Sequence, residues 1–395
     1  MLVLNKILAV LVGPSGYGII GQLQNAVTAI TAIASAGVGT GVTKYTAEYC
    51  TEPQKQRQVW MTATFLGLVC SLIVGIFIVV FRDELALFLL KDRNYSNVFI
   101  WLAFCLILYV LNVFLLAVLN GLKEIGLFIA ANIINSFIAL AMTGLLAWLY
   151  GLHGALVALA INQSLVCFAT VIMLISRPWF RLKNFIGWPN RNIVYKLSHF
   201  TVMAITTSVL GPFTQVLVRN ILINKVGIDA SGYWEAMTRI SNIYLTIIST
   251  TLTVYLIPKL SELRDSKEHK YEITNALKII IPATACMALL VYAFRNYIVE
   301  LLFSPDFIAM EVLFGWQMLG DVVRSISWIF SFYLLSQSAT RKFIIAETLA
   351  STFYVATSFL AISLYGLIGS AMAYTFSNIF YASLLLILAT PMLRK

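Results

Sequence analysis

Eleven apolar runs dominate this sequence, and each is long enough to cross the hydrocarbon core of a bilayer as a helix, which takes about 20 residues. Residues 1–12 form one further, shorter run. All of the runs are continuously apolar, whereas the strands of a membrane barrel alternate between apolar and polar residues. The sequence therefore predicts an all-α integral membrane protein. The full runs lie at roughly 16–48, 57–81, 96–120, 125–149, 152–176, 199–223, 231–259, 270–293, 307–336, 343–363 and 367–391.

The composition excludes the soluble classes of protein. Hydrophobic residues make up 60% of the chain and charged residues only 11%, and the mean hydropathy is +0.88. Soluble domains carry about 25% charged residues, so this chain has too few charges to cover a surface that faces water. The net charge of +10 is therefore not evidence for a soluble enzyme or for nucleic-acid binding. In a membrane protein it bears on orientation instead.

The second half of the chain repeats the first. Tyr150-Gly151-Leu152 matches Tyr365-Gly366-Leu367 at an offset of 215 residues, and Phe128-Ile129 matches Phe343-Ile344 at the same offset. A shift that recurs in five places indicates an internal duplication. The further matches, within one residue of this offset, are Lys44 with Lys259, Ser15-Gly16-Tyr17 with Ser231-Gly232-Tyr233, and Val12-Gly13 with Val226-Gly227.

A repeat of six helices is even-numbered, so both copies insert into the membrane with the same orientation. Such copies are related by a pseudo-twofold axis along the membrane normal, and a transport site is expected between them. We therefore predict 12 transmembrane helices in two six-helix lobes, at 1–176 and 198–395. A basic linker at 177–197 joins the lobes and is expected in the cytoplasm.

The first helix is expected to be truncated. Under the repeat, Met1 aligns with Gln215, in the middle of the run 199–223. A helix of 12 residues rises about 18 Å, too little for about 30 Å of hydrocarbon. We expect either that the reading frame begins upstream or that the product is a truncated variant.

The distribution of lysine and arginine predicts the orientation. The connections after the even-numbered helices, together with the C-terminus, hold 17 of these residues, whereas the opposite connections hold five. Because cytoplasmic connections carry an excess of positive charge, the larger set is placed in the cytoplasm. The C-terminus is then cytoplasmic. The five residues expected on the other side are Arg82, Lys91, Arg93, Lys225 and Arg295.

Nine charged residues lie at membrane depth. A charge at the bilayer centre costs at least about 2.5–3.5 kcal/mol on insertion scales, so each of them is a candidate for a functional site. The alternatives are an ion pair between helices and a side chain that snorkels to the interface. The nine are Lys6, Arg219, Arg239, Lys278, Arg324, Glu235, Glu311, Asp321 and Glu347.

Two pairs among them share a helix face. Glu235 and Arg239 are four residues apart, and their common face must contact water or protein. Asp321 and Arg324 are three residues apart, about halfway along their run, where neither side chain can easily reach an interface. For this second pair, an ion pair within the helix is the alternative to lining a cavity.

The other candidates lie nearer the ends of their runs. Arg219 is four residues before the end of its run, and Lys6 has a similar position in the first repeat, so snorkelling is the alternative for both. Lys278 is about 12 Å from the start of its helix. Glu347 lies within two turns of the predicted cytoplasmic end. The predicted cavity residues are Arg219, Arg239, Arg324, Asp321, Glu347, Glu235, Lys6 and Lys278.

Several motifs resemble the Wzx-type polysaccharide flippases, which belong to the multidrug/oligosaccharidyl-lipid/polysaccharide exporter superfamily. The similarity extends over essentially the whole chain, and in the second half it is greatest to the branch that carries the precursor of enterobacterial common antigen. The motifs are VGPSGYG at 12–18, AGVGTGVTKY at 36–45, LSHFTVMA at 197–204, VYLIPKLS at 254–261, WQMLGDV at 316–322 and FIIAE at 343–347.

The resemblance implies a 12-helix protein of the bacterial inner membrane. Its implied substrate is an oligosaccharide on undecaprenyl pyrophosphate, such as an O-antigen or enterobacterial common antigen repeat unit, which moves to the periplasmic leaflet. Alternating access and a cationic central cavity are implied as well. Arg219, Asp321 and Glu347 fall inside matching stretches, and Arg324 falls where that branch also has a basic residue. Glu235 follows the matching Trp234, although the family residue at its position is a neutral amide.

Two other functions are alternatives to a flippase. A drug or cation antiporter of the same superfamily would favour acidic residues at depth, whereas here five basic residues stand against four acidic ones. An enzyme that polymerises or ligates glycans would need a large periplasmic loop, and no acid–base pair or metal spacing is present in the sequence. We therefore expect no catalytic residues, metal or cofactor.

The resemblance also implies the molecules that this protein meets. They are the undecaprenyl-pyrophosphate-linked glycan, membrane lipid, a glycan polymerase and a chain-length regulator, and no nucleic acid. Asp321 and Glu347 are the candidates to carry a proton or counter-ion if transport is coupled to a gradient, which nothing in the sequence requires.

Overall fold

A computed structural model describes residues 2–263, 265–337 and 339–393. Within these ranges the chain is mainly helical and contains no strand. The α-helices are α1 (Leu2–Ala34), α2 (Val38–Glu48), α3 (Pro53–Val80), α4 (Arg82–Leu85), α5 (Ser96–Gly121), α6 (Ile125–Leu174), α7 (Arg191–Lys225), α8 (Ile228–Thr251), α9 (Ile257–Glu262), α10 (Ser266–Ala293), α11 (Arg295–Leu302), α12 (Phe314–Ser336), α13 (Thr340–Tyr365) and α14 (Leu367–Ala389).

Nine spans in the described ranges are long and apolar enough to cross a membrane. A chain in lipid must satisfy its backbone hydrogen bonds internally, and a continuous helix does so within one segment. The predicted class, an all-α membrane protein, is confirmed, while the count of 12 helices stays a prediction. The spans are Val3–Ala34, Pro53–Val80, Arg93–Gly121, Ile125–Leu174, Ile228–Glu262, Ser266–Ala293, Pro305–Ser336, Thr340–Tyr365 and Leu367–Ala389.

Glycines bend two of the helices where the sequence suggested separate runs. Within α1, Gly13 has φ 65° and ψ −175°, directly before Pro14. Within α6, Gly151 has φ 58° and ψ −139° and separates the predicted runs 125–149 and 152–176. A positive φ is open to glycine at little cost, so the chain changes direction there without an intervening polar loop.

The internal repeat is also visible in the backbone. Gly366, 215 residues after Gly151, has φ 60° and ψ −134°, almost the same unusual conformation. The break between α1 and α2 at residues 35–37 has a counterpart near the same offset, where a π-helix at Leu252–Leu256 interrupts the span after α8. Both copies therefore bend at corresponding places.

The contacts divide the chain into two compact units. Unit 1 comprises Met1–Val12 and Gln22–Phe213, and unit 2 comprises Gly13–Gly21 and Thr214–Lys395. The lobe boundaries predicted from the sequence, 1–176, 177–197 and 198–395, are not tested by this division and stay predictions. Met1, Arg264, Ser338, Arg394 and Lys395 lie outside the described residues, and three of them belong to the predicted cytoplasmic set of basic residues.

In unit 1 the predicted linker packs against the helices. Phe185 is buried and stacks on Trp60 of α3, with ring centroids 5.5 Å apart. Trp179 Nε1 donates a hydrogen bond of 2.8 Å to Glu124, and the Arg177 guanidinium lies 3.6 Å from the same carboxylate. Aromatic side chains therefore anchor a segment whose basic composition alone suggested a loop in solvent.

The core of unit 2 lies among its long helices. Ile248 of α8, Ile273 of α10, Ile329 of α12, Ala346 of α13 and Leu385 of α14 belong to one buried apolar cluster. A second cluster joins Trp234 to Tyr354 and Tyr374. The charged side chains of the candidate site lie on these same helices, so the packing of the core sets their positions.

Candidate functional site

Three of the predicted cavity residues form one ionic cluster in unit 2. Arg219 of α7 donates from Nη2 to Oε2 of Glu235, and Arg239 donates from Nε to Oε1 of Glu235 at 2.7 Å. Each carboxylate oxygen therefore accepts one guanidinium hydrogen bond. Arg219 is 1% exposed and Glu235 is 7% exposed, so this pairing replaces snorkelling to the interface as the account of Arg219.

Aromatic rings cover both guanidinium groups of this Arg–Glu–Arg cluster. The Arg219 guanidinium carbon lies 5.1 Å from the ring centre of Trp234, and that of Arg239 lies 4.8 Å from the ring centre of Tyr17. A cation over the face of an aromatic ring is attracted by the ring quadrupole. The three charged groups sum to one positive charge, which the rings help to accommodate in a buried place.

Glycines on α1 make room for the cluster. A Cβ atom at Gly21 would collide with the carboxyl group of Glu235, and one at Gly18 would collide with Ser231. In turn, a Cβ atom at Gly232 would collide with the carbonyl group of Pro14. The two related sequences, Ser15-Gly16-Tyr17 and Ser231-Gly232-Tyr233, therefore lie in segments that cross closely within unit 2.

A second polar cluster surrounds Asp321 of α12, which is fully buried. Its carboxylate accepts hydrogen bonds from the hydroxyl groups of Tyr244 and Tyr374, the latter at 2.8 Å. Gln317, one turn earlier, lies 3.5 Å from the same carboxylate and donates to Ser241 at 3.2 Å. Tyrosines of α8 and α14 thus satisfy the carboxylate that the sequence placed at membrane depth.

Arg324 does not pair with Asp321 in the described part of the chain, so the ion pair within the helix that the spacing allowed is not formed. Its guanidinium carbon lies 5.3 Å from the ring centre of Trp328 and 5.9 Å from that of Tyr374. Its Nε atom is buried and has no hydrogen-bond partner among the described residues. A buried donor without a partner is costly, and a ligand acceptor would relieve that cost.

The remaining predicted residues are Glu347, Lys278 and Lys6. Glu347 of α13 accepts a hydrogen bond from the hydroxyl group of Tyr381 of α14. Lys278 of α10 has an exposed side chain. Lys6 is partly buried and belongs to unit 1. The structure therefore brings Arg219, Glu235 and Arg239 together, whereas the roles predicted for all eight residues stay predictions.

The pattern of charges in the sequence does not indicate the aromatic partners of the site. Tyr17, Tyr244, Tyr374 and Tyr381 all contact charged groups of the site. A buried tyrosine needs a partner for its hydroxyl group. Tyrosines inside predicted spans are therefore a signal that could have pointed to them.

Some polar residues of unit 1 bond to one another across helices. Asn112 is fully buried and donates to Gln163 at 3.0 Å, while Thr170 donates to Asn112 at 2.9 Å. Such bonds join α5 to α6, which is the commoner use of amides inside membranes. Among the described residues no group of three or more histidine, cysteine or acidic side chains is arranged to hold a metal ion.

Comparisons with known proteins agree on a family of membrane transporters. A family model described as polysaccharide biosynthesis protein matches residues 1–264. The lipid III flippase of Escherichia coli (strain K12) is 32% identical over 391 residues, which cover 97% of this chain and 92% of that protein. The lipid III flippase of Shigella flexneri gives the same identity and coverage.

A solved structure shares the fold. It is the inward-facing conformation of a multidrug resistance transporter of the MATE family in the MOP superfamily, with a TM-score of 0.83. The match covers 99% of this chain and 93% of that chain at 14% sequence identity. At that identity the likeness concerns the fold alone, and it confirms the all-α architecture predicted from the sequence.

Proposed function

This chain belongs to the polysaccharide biosynthesis protein family, and we propose that it is a flippase for an oligosaccharide linked to undecaprenyl pyrophosphate. The observation that carries the proposal is the similarity to lipid III flippases over nearly the whole length of both chains. The named relatives are flippases and not enzymes, in keeping with a transport function.

The chemistry of the substrate explains why basic groups lie at membrane depth. A pyrophosphate and a polar glycan cross hydrocarbon only at a large desolvation cost. Arginine binds phosphate oxygens through two parallel N–H donors, which makes it suited to this task. Arg324, with its buried and unpartnered Nε atom, is proposed as the first phosphate contact. The second contact is proposed to be the Arg–Glu–Arg cluster, with its single excess positive charge.

We also propose a location, an alternating-access mechanism, a coupling ion and protein partners. The protein is placed in the inner membrane with its C-terminus in the cytoplasm, and it exposes a cationic cavity first to the cytoplasmic and then to the periplasmic leaflet. Asp321 and Glu347 are proposed to carry a coupling proton or counter-ion, since tyrosine hydroxyl groups donate hydrogen bonds to both carboxylates. A glycan polymerase and a chain-length regulator are the proposed protein partners.

The decisive experiment is genetic complementation with a chemical readout. The gene is expressed in an Escherichia coli strain that lacks its lipid III flippase, and lipid-linked oligosaccharides are quantified by mass spectrometry. We expect the accumulated undecaprenyl-linked intermediate to disappear. Deletion of the gene in its own host should make one such intermediate accumulate, and the mass of that intermediate identifies the glycan.

The same experiment separates the flippase from a multidrug or cation antiporter. An antiporter would leave the lipid-linked intermediates unchanged in the deletion strain and would raise its sensitivity to cationic drugs. That result would overturn the flippase proposal. Failure to complement the Escherichia coli strain, combined with accumulation in the native host, would point to a different glycan and would leave the flippase function supported.

A further inference from the structure

An apolar cavity of about 580 Å³ lies within unit 1. Its walls come from α2, α3, α5, the end of α6 and the linker that follows. The volume falls within the range of about 300–1,000 Å³ that small-molecule sites occupy. Among the described residues that line it, none carries a charge. A charged ligand group would therefore have no counter-ion inside.

The inner wall and the rim of the cavity are both apolar. Ala63, Phe114 and Phe185 on the wall are buried, whereas Leu68 and Ile186 on the rim are 42% and 69% exposed. The rim continues into a row of exposed apolar side chains along α3, namely Leu72, Ile73, Ile76, Phe77 and Val80. Such a row fits contact with lipid and not with water. The cavity therefore opens sideways toward the bilayer.

A smaller cavity of about 260 Å³ adjoins the apolar one, so the two ends of the combined site differ in polarity. The two cavities share Ser35, Gly39 and Val113 as lining residues. The smaller one is the more polar of the two, because six of its ten described lining residues carry hydroxyl groups, namely Thr28, Thr31, Ser35, Thr40, Tyr109 and Ser208. An occupant that enters from the bilayer thus meets an apolar chamber first and a polar one beyond it.

The break between α1 and α2 creates the junction of the two cavities. Ala36 and Gly37 have φ 50° and 57°, so the helix path is interrupted at Ser35–Gly37. The linker residues Phe180, Phe185 and Ile186 line the apolar cavity at the end where α6 finishes. The charge count predicts that this end is cytoplasmic, which is the leaflet where the proposed substrate is made available.

We propose that this cavity binds the isoprenoid chain of the lipid substrate, with the polar part of the lipid toward the hydroxyl-lined chamber. The inference rests on the proposed function, because that function supplies a polyisoprenyl lipid. The size, the uncharged lining and the sideways opening suit a hydrocarbon chain that enters from the bilayer without leaving lipid. Burial of apolar chain surface provides the favourable free energy of binding.

Gly39 offers a specific way to close the cavity. A Cβ atom there would meet only Val113 Cγ1, at 3.8 Å, which is an ordinary contact. Gly39→Ala should therefore be tolerated, whereas Gly39→Leu would fill the junction of the two chambers. Gly126→Leu is the matched control, because Gly126 lies outside both cavities and a Cβ atom there meets no atom within 4 Å.

The test uses the full chain in nanodiscs and a photoreactive undecaprenyl phosphate whose diazirine sits on the isoprenoid chain. We expect labelled peptides from α3 and from α5 to contain lining residues, and we expect labelling to fall about tenfold in Gly39→Leu, the effect of 1.4 kcal/mol. Gly39→Ala and Gly126→Leu should label as the natural chain does. Unlabelled undecaprenyl phosphate should compete for the site, and excess phosphatidylethanolamine should not.

Two outcomes would overturn the inference. Equal competition by phosphatidylethanolamine would identify a site for ordinary phospholipid, and unchanged labelling in Gly39→Leu would place the chain elsewhere. Because labelling does not require transport, the two proposals can fail separately. Complementation without cavity labelling would support the flippase function and reject the isoprenoid site. Cavity labelling without complementation would support the isoprenoid site only.

Discussion

Glu235 is the residue on which the ionic cluster depends, because its carboxylate joins the two arginines. Arg219 bonds to one carboxylate oxygen and Arg239 to the other. Loss of either arginine leaves an ion pair, whereas loss of the glutamate charge leaves two guanidinium groups of like charge near each other. Removing one partner of a buried pair is far more costly than replacing the whole pair.

We predict that Glu235→Gln destabilises the protein more than Arg239→Gln does. The expected loss is about 3–5 kcal/mol, the range for breaking a buried ion pair. The measurement is thermal unfolding of the purified protein in detergent. Glu268→Gln is the control, because that side chain is exposed at the start of α10. An unchanged unfolding temperature in Glu235→Gln would contradict the pairing.

Arg324 differs from the clustered arginines because it is held mainly by aromatic rings. We predict that Arg324→Lys and Arg324→Gln both lower transport about tenfold or more, since a hydrogen bond to a charged group contributes about 1.5–3 kcal/mol. Lysine keeps the charge but loses the planar fork. The readout is the level of lipid-linked oligosaccharide in the complemented strain.

The control for Arg324 is Arg341→Gln, at an exposed arginine in the first turn of α13. Protein levels and unfolding temperatures should be close to those of the natural chain in all three variants. Full transport in Arg324→Gln would show that this arginine has a structural role only.

At the scale of the helix, the clearest sign of the repeat is the pair of bends at Gly151 and Gly366, which we call the glycine corners. After Gly151 the chain turns so sharply that a Cβ atom at Gly154 would collide with the carbonyl group of Leu146. At Gly369, 215 residues later, a Cβ atom would collide with the carbonyl group of Ala361. Each corner thus needs glycine for close approach as well as for its positive φ.

We predict that Gly154→Ala and Gly369→Ala each destabilise the protein by about 1–3 kcal/mol, the usual cost of an overpacked contact. Gly126→Ala, on the open surface near the start of α6, should change stability by less than about 1 kcal/mol and in the stabilising direction. Thermal unfolding measures all three. Similar unfolding temperatures for the corner variants and the control would refute the close contacts.

These corners also show how far the sequence could predict the elements. Apolar runs predicted the helices well, as 96–120 against Ser96–Gly121 illustrates. The break at Tyr150-Gly151 between the runs 125–149 and 152–176 also predicted the bend within α6, although hydrophobicity does not reveal the backbone conformation of the glycine that makes it. The charged residues at membrane depth indicated which side chains belong to the candidate site. They did not indicate the partners that other helices supply, such as Tyr374 for Asp321.

At the scale of the whole molecule, orientation depends on where the basic residues lie in sequence. The count of 17 against five places the larger set in the cytoplasm. This asymmetry predicts which end of unit 1 is cytoplasmic. It therefore also predicts the leaflet from which a lipid chain would enter the apolar cavity beside Phe180 and Phe185.

We predict that Asn94 faces the periplasm and Glu268 the cytoplasm. Both side chains are exposed, and neither residue counts toward the basic set, so replacing them leaves the charge asymmetry intact. Asn94→Cys and Glu268→Cys are introduced separately into a chain whose five native cysteines are replaced by serine. In spheroplasts, a membrane-impermeant maleimide should label Asn94→Cys at once and Glu268→Cys only after permeabilisation. The reverse pattern would invert the molecule and would place the apolar cavity at the opposite leaflet, where a substrate delivered from the cytoplasm could not reach it before transport.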